Sequence, residues 1–388
     1  MAALKLDDLY KQYEGYFEPK AVVHMGGEDI EKFKKYSLHC VDLSVEVTSD
    51  LKASIASFSI LGSYDLKTGA FRSEALKKYI AMGTSVKIYM GHAASLTEVF
   101  KGYVAAVDFL YERESPENSL IRITAMDIKG VMMANNYSKR LKANYYSDAV
   151  KEIFDQSTYK TLQQNGVVDD ITVADTPDKP AGGAAPGGAQ GGGTDIRIEM
   201  AGESDYDFVT RCARRFNYEF FSIGGHVTFR KAKLNTQPLI EITPHVTVLD
   251  YDVTYDITGV VGEVKVRTMD VGKGSKIETK KKNSNKFSIG SKAKSLVSSQ
   301  SYVYIDSSIE SQADAEKRAE YLMEDISYRL GHIRMTLLGI PDIVPGRFIT
   351  LKDFGAGISN NYYITDVTHE YMAGSRYVTI IEGKASTM

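Results

Sequence analysis

From Gly83 the chain reads Gly-Thr-Ser-Val-Lys-Ile-Tyr, from Gly102 Gly-Tyr-Val-Ala-Ala-Val-Asp-Phe-Leu-Tyr, and from Leu120 Leu-Ile-Arg-Ile-Thr. Near the other end the same order returns. It runs Gly-Arg-Phe-Ile-Thr-Leu-Lys from Gly346, Tyr-Tyr-Ile-Thr-Asp-Val-Thr-His-Glu-Tyr from Tyr362, and Tyr-Val-Thr-Ile-Ile from Tyr377. Laid over each other, Gly83 meets Gly346, and Val86 and Ile88 meet Ile349 and Leu351. Tyr103, Val107 and Tyr111 then meet Tyr363, Val367 and Tyr371, and Ile121 and Ile123 meet Val378 and Ile380. Three period-two segments in one order, with similar gaps, predict a β-module written twice. Duplicated modules are a common way to build ring-like assemblies.

Outward from the first copy the period stays two. Leu43, Val45 and Val47 alternate with polar residues, as do Ala56, Phe58 and Ile60. Residues 71–81 read as a short helix, and Glu114–Ser119 as a turn-rich hairpin loop. Five or so strands ending near Asn135 favour a barrel or sandwich over an open sheet. A mixed region follows, with Ser147 expected as the cap of a helix over 147–157. The stretch 176–194 holds seven glycines, three prolines and four alanines. It has no Gly-Lys-Ser/Thr ending to cradle a phosphate and reads as a flexible loop.

The segment 203–217 is the clearest helix. Ser204 is its cap, Asp207 stands at the third position of the first turn, and Phe208, Val209, Cys212, Ala213 and Phe216 form one stripe. A hairpin follows through Gly224-Gly225. Strands are expected at 246–254 and 260–268, a polar loop at 272–300, a helix over 311–329 capped by Ser311, and strands at 332–338, 347–352, 361–371 and 376–382. Gly339-Ile-Pro-Asp-Ile-Val-Pro-Gly346 reads as a rigid turn.

Composition excludes several classes. The 388 residues suffice for two or three domains, and 43% apolar with 25% charged residues is ordinary for a globular chain. A net charge of −3 argues against a dedicated nucleic-acid binder. Cys40 and Cys212 form neither a disulfide framework nor a zinc site. The N-terminus lacks the charged and then apolar regions of an export signal, and no segment is long and apolar enough for a membrane helix. Chemistry is equally sparse. The seven histidines, at 24, 39, 92, 226, 245, 332 and 369, show no metal-ligand spacing. His369 reads as a core or interface residue on the strand face of Val367 and Tyr371. Asp169-Asp170 and Glu310/Asp314 read as solvated or capping carboxylates, not a glycosidase pair. No catalytic, cofactor-binding or metal site is expected.

The segment Glu203–Phe221 with its following strand, and the ending Gly339–Leu351 with Tyr362–Tyr371, resemble the late control protein D family of phages. The same family includes the hub part of valine-glycine repeat protein G of type VI secretion. On the residues that match, Ser204, Asp207, Phe208, Phe216 and Tyr218 carry the first motif. Gly339, Pro341, Pro345, Gly346, Tyr363, His369 and Tyr371 carry the second. The resemblance covers about residues 20–383 and implies a mainly β chain with α+β insertions: two tube-like β-barrel modules and a small mixed α/β region. It implies an arm or helix over 1–18, modules over 19–136 and 236–388, and the mixed region over 137–235. Three chains would form a pseudo-sixfold ring, a baseplate hub of a contractile injection particle such as a phage tail or tailocin. Its partners would be the tail tube protein, a separate spike protein and other baseplate components, without a nucleic-acid or small-molecule ligand. The site of action would be the bacterial cytoplasm during assembly and the particle afterwards. The family's type VI members carry a fused spike; here the chain ends after the second module, so the spike is expected on another chain. The Gly/Pro-rich stretch falls outside the family pattern. A tail-associated cell-wall hydrolase and a carbohydrate-binding β-protein stand as alternatives.

Overall fold

The computed structural model describes residues 3–179, 198–270, 274–287, 291–306, 309 and 311–388. Twelve strands build its frame. The first six are β1 (Pro19–Met25), β2 (His39–Thr48), β3 (Ile55–Leu61), β4 (Ser85–His92), β5 (Ser95–Leu110) and β6 (Leu120–Met126). The second six are β7 (Pro238–Ile242), β8 (Val248–Tyr255), β9 (Gly331–Leu338), β10 (Phe348–Leu351), β11 (Asn361–Met372) and β12 (Arg376–Ala385). Hydrogen bonding orders the first set β2-β3-β6-β5-β4-β1 and the second β8-β9-β12-β11-β10-β7, so each strand has a counterpart six places on.

The repeat extends to individual residues. Ser85 pairs with Tyr103 as Phe348 pairs with Tyr363. The Gly83 amide donates to the Val104 carbonyl at 2.8 Å, and that of Gly346 to Ile364 at 3.0 Å. Both glycines hold positive φ, 88° and 76°, a turn geometry that disfavours other residues. Even the irregularities match. β5 skips Ala105 in its pairing with β6, and β11 skips the equivalent Thr365 in its pairing with β12. One expected correspondence slips: Val107 faces Ile123 and Val367 faces Ile381, so Ile123 corresponds to Ile381 and not Ile380. Tyr377, Val378 and Thr379 are buried in succession, so apolar alternation does not mark the inward face there. One difference is real: β1 runs antiparallel to β4, whereas β7 runs parallel to β10.

The expected barrels are not closed. Closure of the first module requires β2 to pair with β1. Instead the free edge of β2 joins β11, and both modules merge into one 14-stranded sheet among the described residues. The short helical turns over 30–36 and the helix Ser73–Ile80 add Ile30, Leu76, Tyr79 and Ile80 to the core of the open first module. The N-terminal helix Leu6–Gln12 places Leu6 and Leu9 in the second module's core, far from its neighbours in sequence.

Between the modules a separate core forms around the helices Tyr146–Phe154 and Asp205–Phe216 and the hairpin Tyr218–Ile223/His226–Lys231. The helix cap falls at Tyr145; Ser147 lies inside the helix, buried, its amide donating to Thr176 Oγ1 at 2.9 Å. A second helix, Ser157–Gln164, was not expected. Most of the Gly/Pro-rich stretch 176–194 lies outside the described residues. The supposed polar loop 272–300 contains a strand, Ser275–Lys282, and a helix, Ser291–Ser298. That strand pairs with Glu263–Asp270, and the helix Gln312–Ser327 adds Ala315, Ala319 and Ile326 to the same small core.

Candidate functional site

Three elements from distant parts of the sequence, the helix Asp205–Phe216, the hairpin after it and the closing strands, meet in one polar seam. Ser204 Oγ accepts the Asp207 amide at 3.0 Å, and Asp207 Oδ2 accepts the Ser204 amide at 3.2 Å, a reciprocal cap that fixes the first turn of Asp205–Phe216. Phe208 and Phe216 are buried along the expected stripe. Asn217 ends the helix in the left-handed conformation, so that Tyr218 begins the next strand at once. Tyr218 turns its ring onto Phe229 and donates to the Asp175 carbonyl at 2.6 Å.

The hairpin then meets the second module. Glu219 is buried, pairs across the strands with Arg230 (Nε to Oε1 2.7 Å), and accepts a hydrogen bond from the Tyr363 hydroxyl. Arg230 also donates to the Gly346 carbonyl at 3.0 Å. Thus Gly346 and Tyr363 of the closing motif contact the hairpin of the first motif, although well over a hundred residues separate them. Burial raises the Glu219 carboxyl above its ordinary value, against the opposing pull of Tyr363 and Arg230. Burial likewise raises the Tyr363 hydroxyl, aided by the Glu219 charge.

Beyond Thr365 the same strand β11 changes partner. Val367 faces Val47, His369 faces Val45 and Tyr371 faces Leu43 of β2. The carbonyl of the bulged Thr365 accepts the Ser49 amide at 2.9 Å and the Thr48 hydroxyl at 3.3 Å. Lys52 bridges Asp366 at 2.9 Å on the outer face. His369 is only 2% exposed, and burial lowers its pKa to about 3, so it is neutral near pH 7. Its Nδ1 lies 3.0 Å from the Tyr377 hydroxyl and 3.1 Å from Thr379 Oγ1. Tyr371 reaches the first module's core, as does Tyr377.

The turn 339–346 locks the other side of this seam. Pro341 and Pro345 are buried, and a Cβ at Gly339 would stand 2.0 Å from the Tyr377 ring. The Gly339 carbonyl meets His92 Nε2 of the first module at 2.7 Å, and Tyr13 donates to Asp342. Arg230 and His92 carry no local pattern that singles them out, whereas Glu219 is an acid set within the apolar run Tyr-Glu-Phe-Phe of a strand.

Among the described residues no group of three or more His, Cys, Asp or Glu side chains could hold a metal. Asp169 is paired with Lys101, Asp170 lies 3.0 Å from His226, and Asp314 caps a helix with Ser311; Glu310 lies outside the described residues. No helix of the described residues is long and apolar enough to cross a membrane.

Comparison with known proteins places the fold. A family model described as the Alg8 N-terminal domain matches residues 197–373, less than half of the chain. No curated protein matches the sequence. Among solved structures, a tail protein from Neisseria meningitidis MC58 is similar at 13% identity and a TM-score of 0.64, over 95% of this chain and 97% of that one. The 43 kDa tail protein of prophage MuSo2 from Shewanella oneidensis is similar at 11% identity and a TM-score of 0.65, over 95% and 99%. The E. coli c3393 protein, described as a type VI secretion component similar to the T4 tail proteins gp27 and gp5, is similar at 10% identity and a TM-score of 0.53, over 93% and 76%. At these identities the likeness is one of fold: this chain has the fold of phage tail proteins.

Proposed function

We propose that the chain is a structural hub of a contractile injection particle, a homotrimer whose six modules adapt a sixfold tail tube to a threefold spike. The observation that carries this reading is the duplication, exact in strand order and in the paired residues of β4-β5 and β10-β11, inside one continuous sheet. Two near-equivalent modules per chain in three chains give six similar positions, while the insertions between and within the modules repeat only three times. One face can then follow sixfold order and the other threefold order. The likeness in fold to phage tail proteins supports the same assignment. On this reading the residues of the two sequence motifs are structural: they fix the hairpin and the closing strands to each other at Glu219–Tyr363 and Arg230–Gly346. The partners are the tube protein, a spike protein and neighbouring baseplate components.

Light scattering of the purified chain, alone and mixed with candidate tube and spike proteins, tests this. The expected species is about 129 kDa, three times the 43.0 kDa chain, and images of it should show rings. A stable monomer indifferent to both partners would sink the proposal and turn attention to hydrolase and glycan-binding assays.

A further inference from the structure

The two modules are joined inside the chain by β11 and β2, and the repeat gives each of these strands a counterpart whose matching edge is unpaired among the described residues. β5 corresponds to β11, with Val107, Phe109 and Tyr111 at the places of Val367, His369 and Tyr371. β8 corresponds to β2, because Val45 faces Ala56 of β3 as Val253 faces Ile333 of β9. In β11 the segment 366–371 pairs with β12 on one side and β2 on the other. Among the described residues the equivalent segment of β5 pairs with β6 alone, and β8 pairs with β9 alone. Each is an open edge, and both expose their inward faces. Phe109 is 48% exposed where His369 is 2%, and Tyr251 is 43% exposed where its counterpart Leu43 is 2%.

We infer that β5 of one copy pairs antiparallel with β8 of a second copy, in the register of the β11–β2 joint. Val107 then faces Tyr255, Phe109 faces Val253, and Tyr111 faces Tyr251 of the second copy. The carbonyl of the bulged Ala105 takes the Ile257 amide, as that of Thr365 takes Ser49. The occupant is a second copy of this chain because the chain itself carries both halves of the joint, one on each open edge. A sheet edge of this kind is a template for pairing and is ordinarily guarded. Here the outward positions carry acids, Asp108 on one edge and Asp250 and Asp252 on the other, while the inward positions are apolar or aromatic. In the inferred register Asp108 faces Thr254 and Asp252 faces Leu110, while Asp250 falls opposite Glu112 just past the last pair copied from the β11–β2 joint. The two edges differ, so the contact is heterologous and propagates head to tail until a ring closes. That three copies close it rests on the hub reading above; the identity and register of the joint do not.

Leu110 and Asp252 are exposed and fall directly opposite each other in this register, at a spacing a disulfide can span after small adjustment. Oxidation of a chain carrying L110C and D252C should give covalent oligomers ending at a closed species. A chain carrying L110C and D250C, shifted by two residues, should give at least tenfold less; native Cys40 and Cys212 are buried. A second pair of variants tests the edges without a cross-link. F109K and Y251K should each be monomeric, and their equimolar mixture should stop at a dimer of about 86 kDa, twice the 43.0 kDa chain, because one intact joint remains. Equal cross-linking in the shifted register, or assembly of F109K and Y251K as in the native chain, overturns the inference while leaving the hub reading in place. A native chain that stays monomeric with tube and spike proteins overturns both.

Discussion

Tyr363→Phe removes one hydroxyl from the junction of hairpin and second module and leaves the ring in place. Its partner Glu219 is buried and keeps only Arg230 as a side-chain donor. A hydrogen bond to a charged group contributes about 1.5–3 kcal/mol, and one between neutral groups about 0.5–1.5 kcal/mol. Burial raises the folded-state pKa of Glu219 above that of the unfolded chain, so its protonated form favours folding. The stability this gives is fully present below the unfolded carboxylate value and is lost as pH rises through the folded one. Loss of the Tyr363 donor raises the folded value further and therefore penalises the variant chiefly where Glu219 is ionised. The expected destabilisation is about 2 kcal/mol at pH 8 and about 1 kcal/mol at pH 4. Urea unfolding followed by far-ultraviolet circular dichroism, parent against variant at each pH, measures it. In a Glu219→Gln background the pH dependence of the Tyr363→Phe effect should vanish. A cost below about 0.5 kcal/mol, or one equal at both pH values, would refute an ionised Glu219 held by Tyr363.

Three further outcomes follow from the same geometry. Gly339→Ala drives a methyl group into the Tyr377 ring and should cost about 1–3 kcal/mol; the cost should fall in a Tyr377→Leu background, and an unchanged cost would contradict the contact. His369 is held neutral with a pKa of about 3, so the unfolded chain binds the extra proton and stability drops as pH falls from about 6 toward 4, by up to about 1.4 kcal/mol per unit; His369→Gln should flatten that slope, and parallel slopes would exclude the assignment. Ser204→Ala removes the reciprocal cap and should cost about 1 kcal/mol, visible as faster amide exchange in the first turn of Asp205–Phe216; unchanged exchange there would contradict it.

The strands were legible because the repeat places landmarks where physics demands them. A glycine starts β4 and β10 at positive φ, and a tyrosine marks the same rung of β5 and β11. The joint between modules was not legible. His369 and Val45 stand opposite each other across most of the chain, and an inward residue alternates identically whether its partner is a near neighbour or another module. Strand Ser275–Lys282 reads as a loop in the sequence because Ile277 is its one buried side chain, so charge masks the period. Helix Ser157–Gln164 is illegible for a similar reason, burying only Tyr159. Strand count and alternation favour a barrel or sandwich, and the family resemblance implies two barrels, but the pattern determines how many strands pack and not which edge each finds.

The bulge at Thr365 has a mechanical consequence. It lets one unbroken strand, β11, pair with β10 of its own module along its first half and with β2 of the other module along its second. A load applied along the strand therefore passes from module to module through covalent backbone and a row of hydrogen bonds in shear, without a hinge. The joint cannot slide by two residues without expelling the Thr365 carbonyl from Ser49 and Thr48. The two modules should thus stretch, and fail, as a single elastic element.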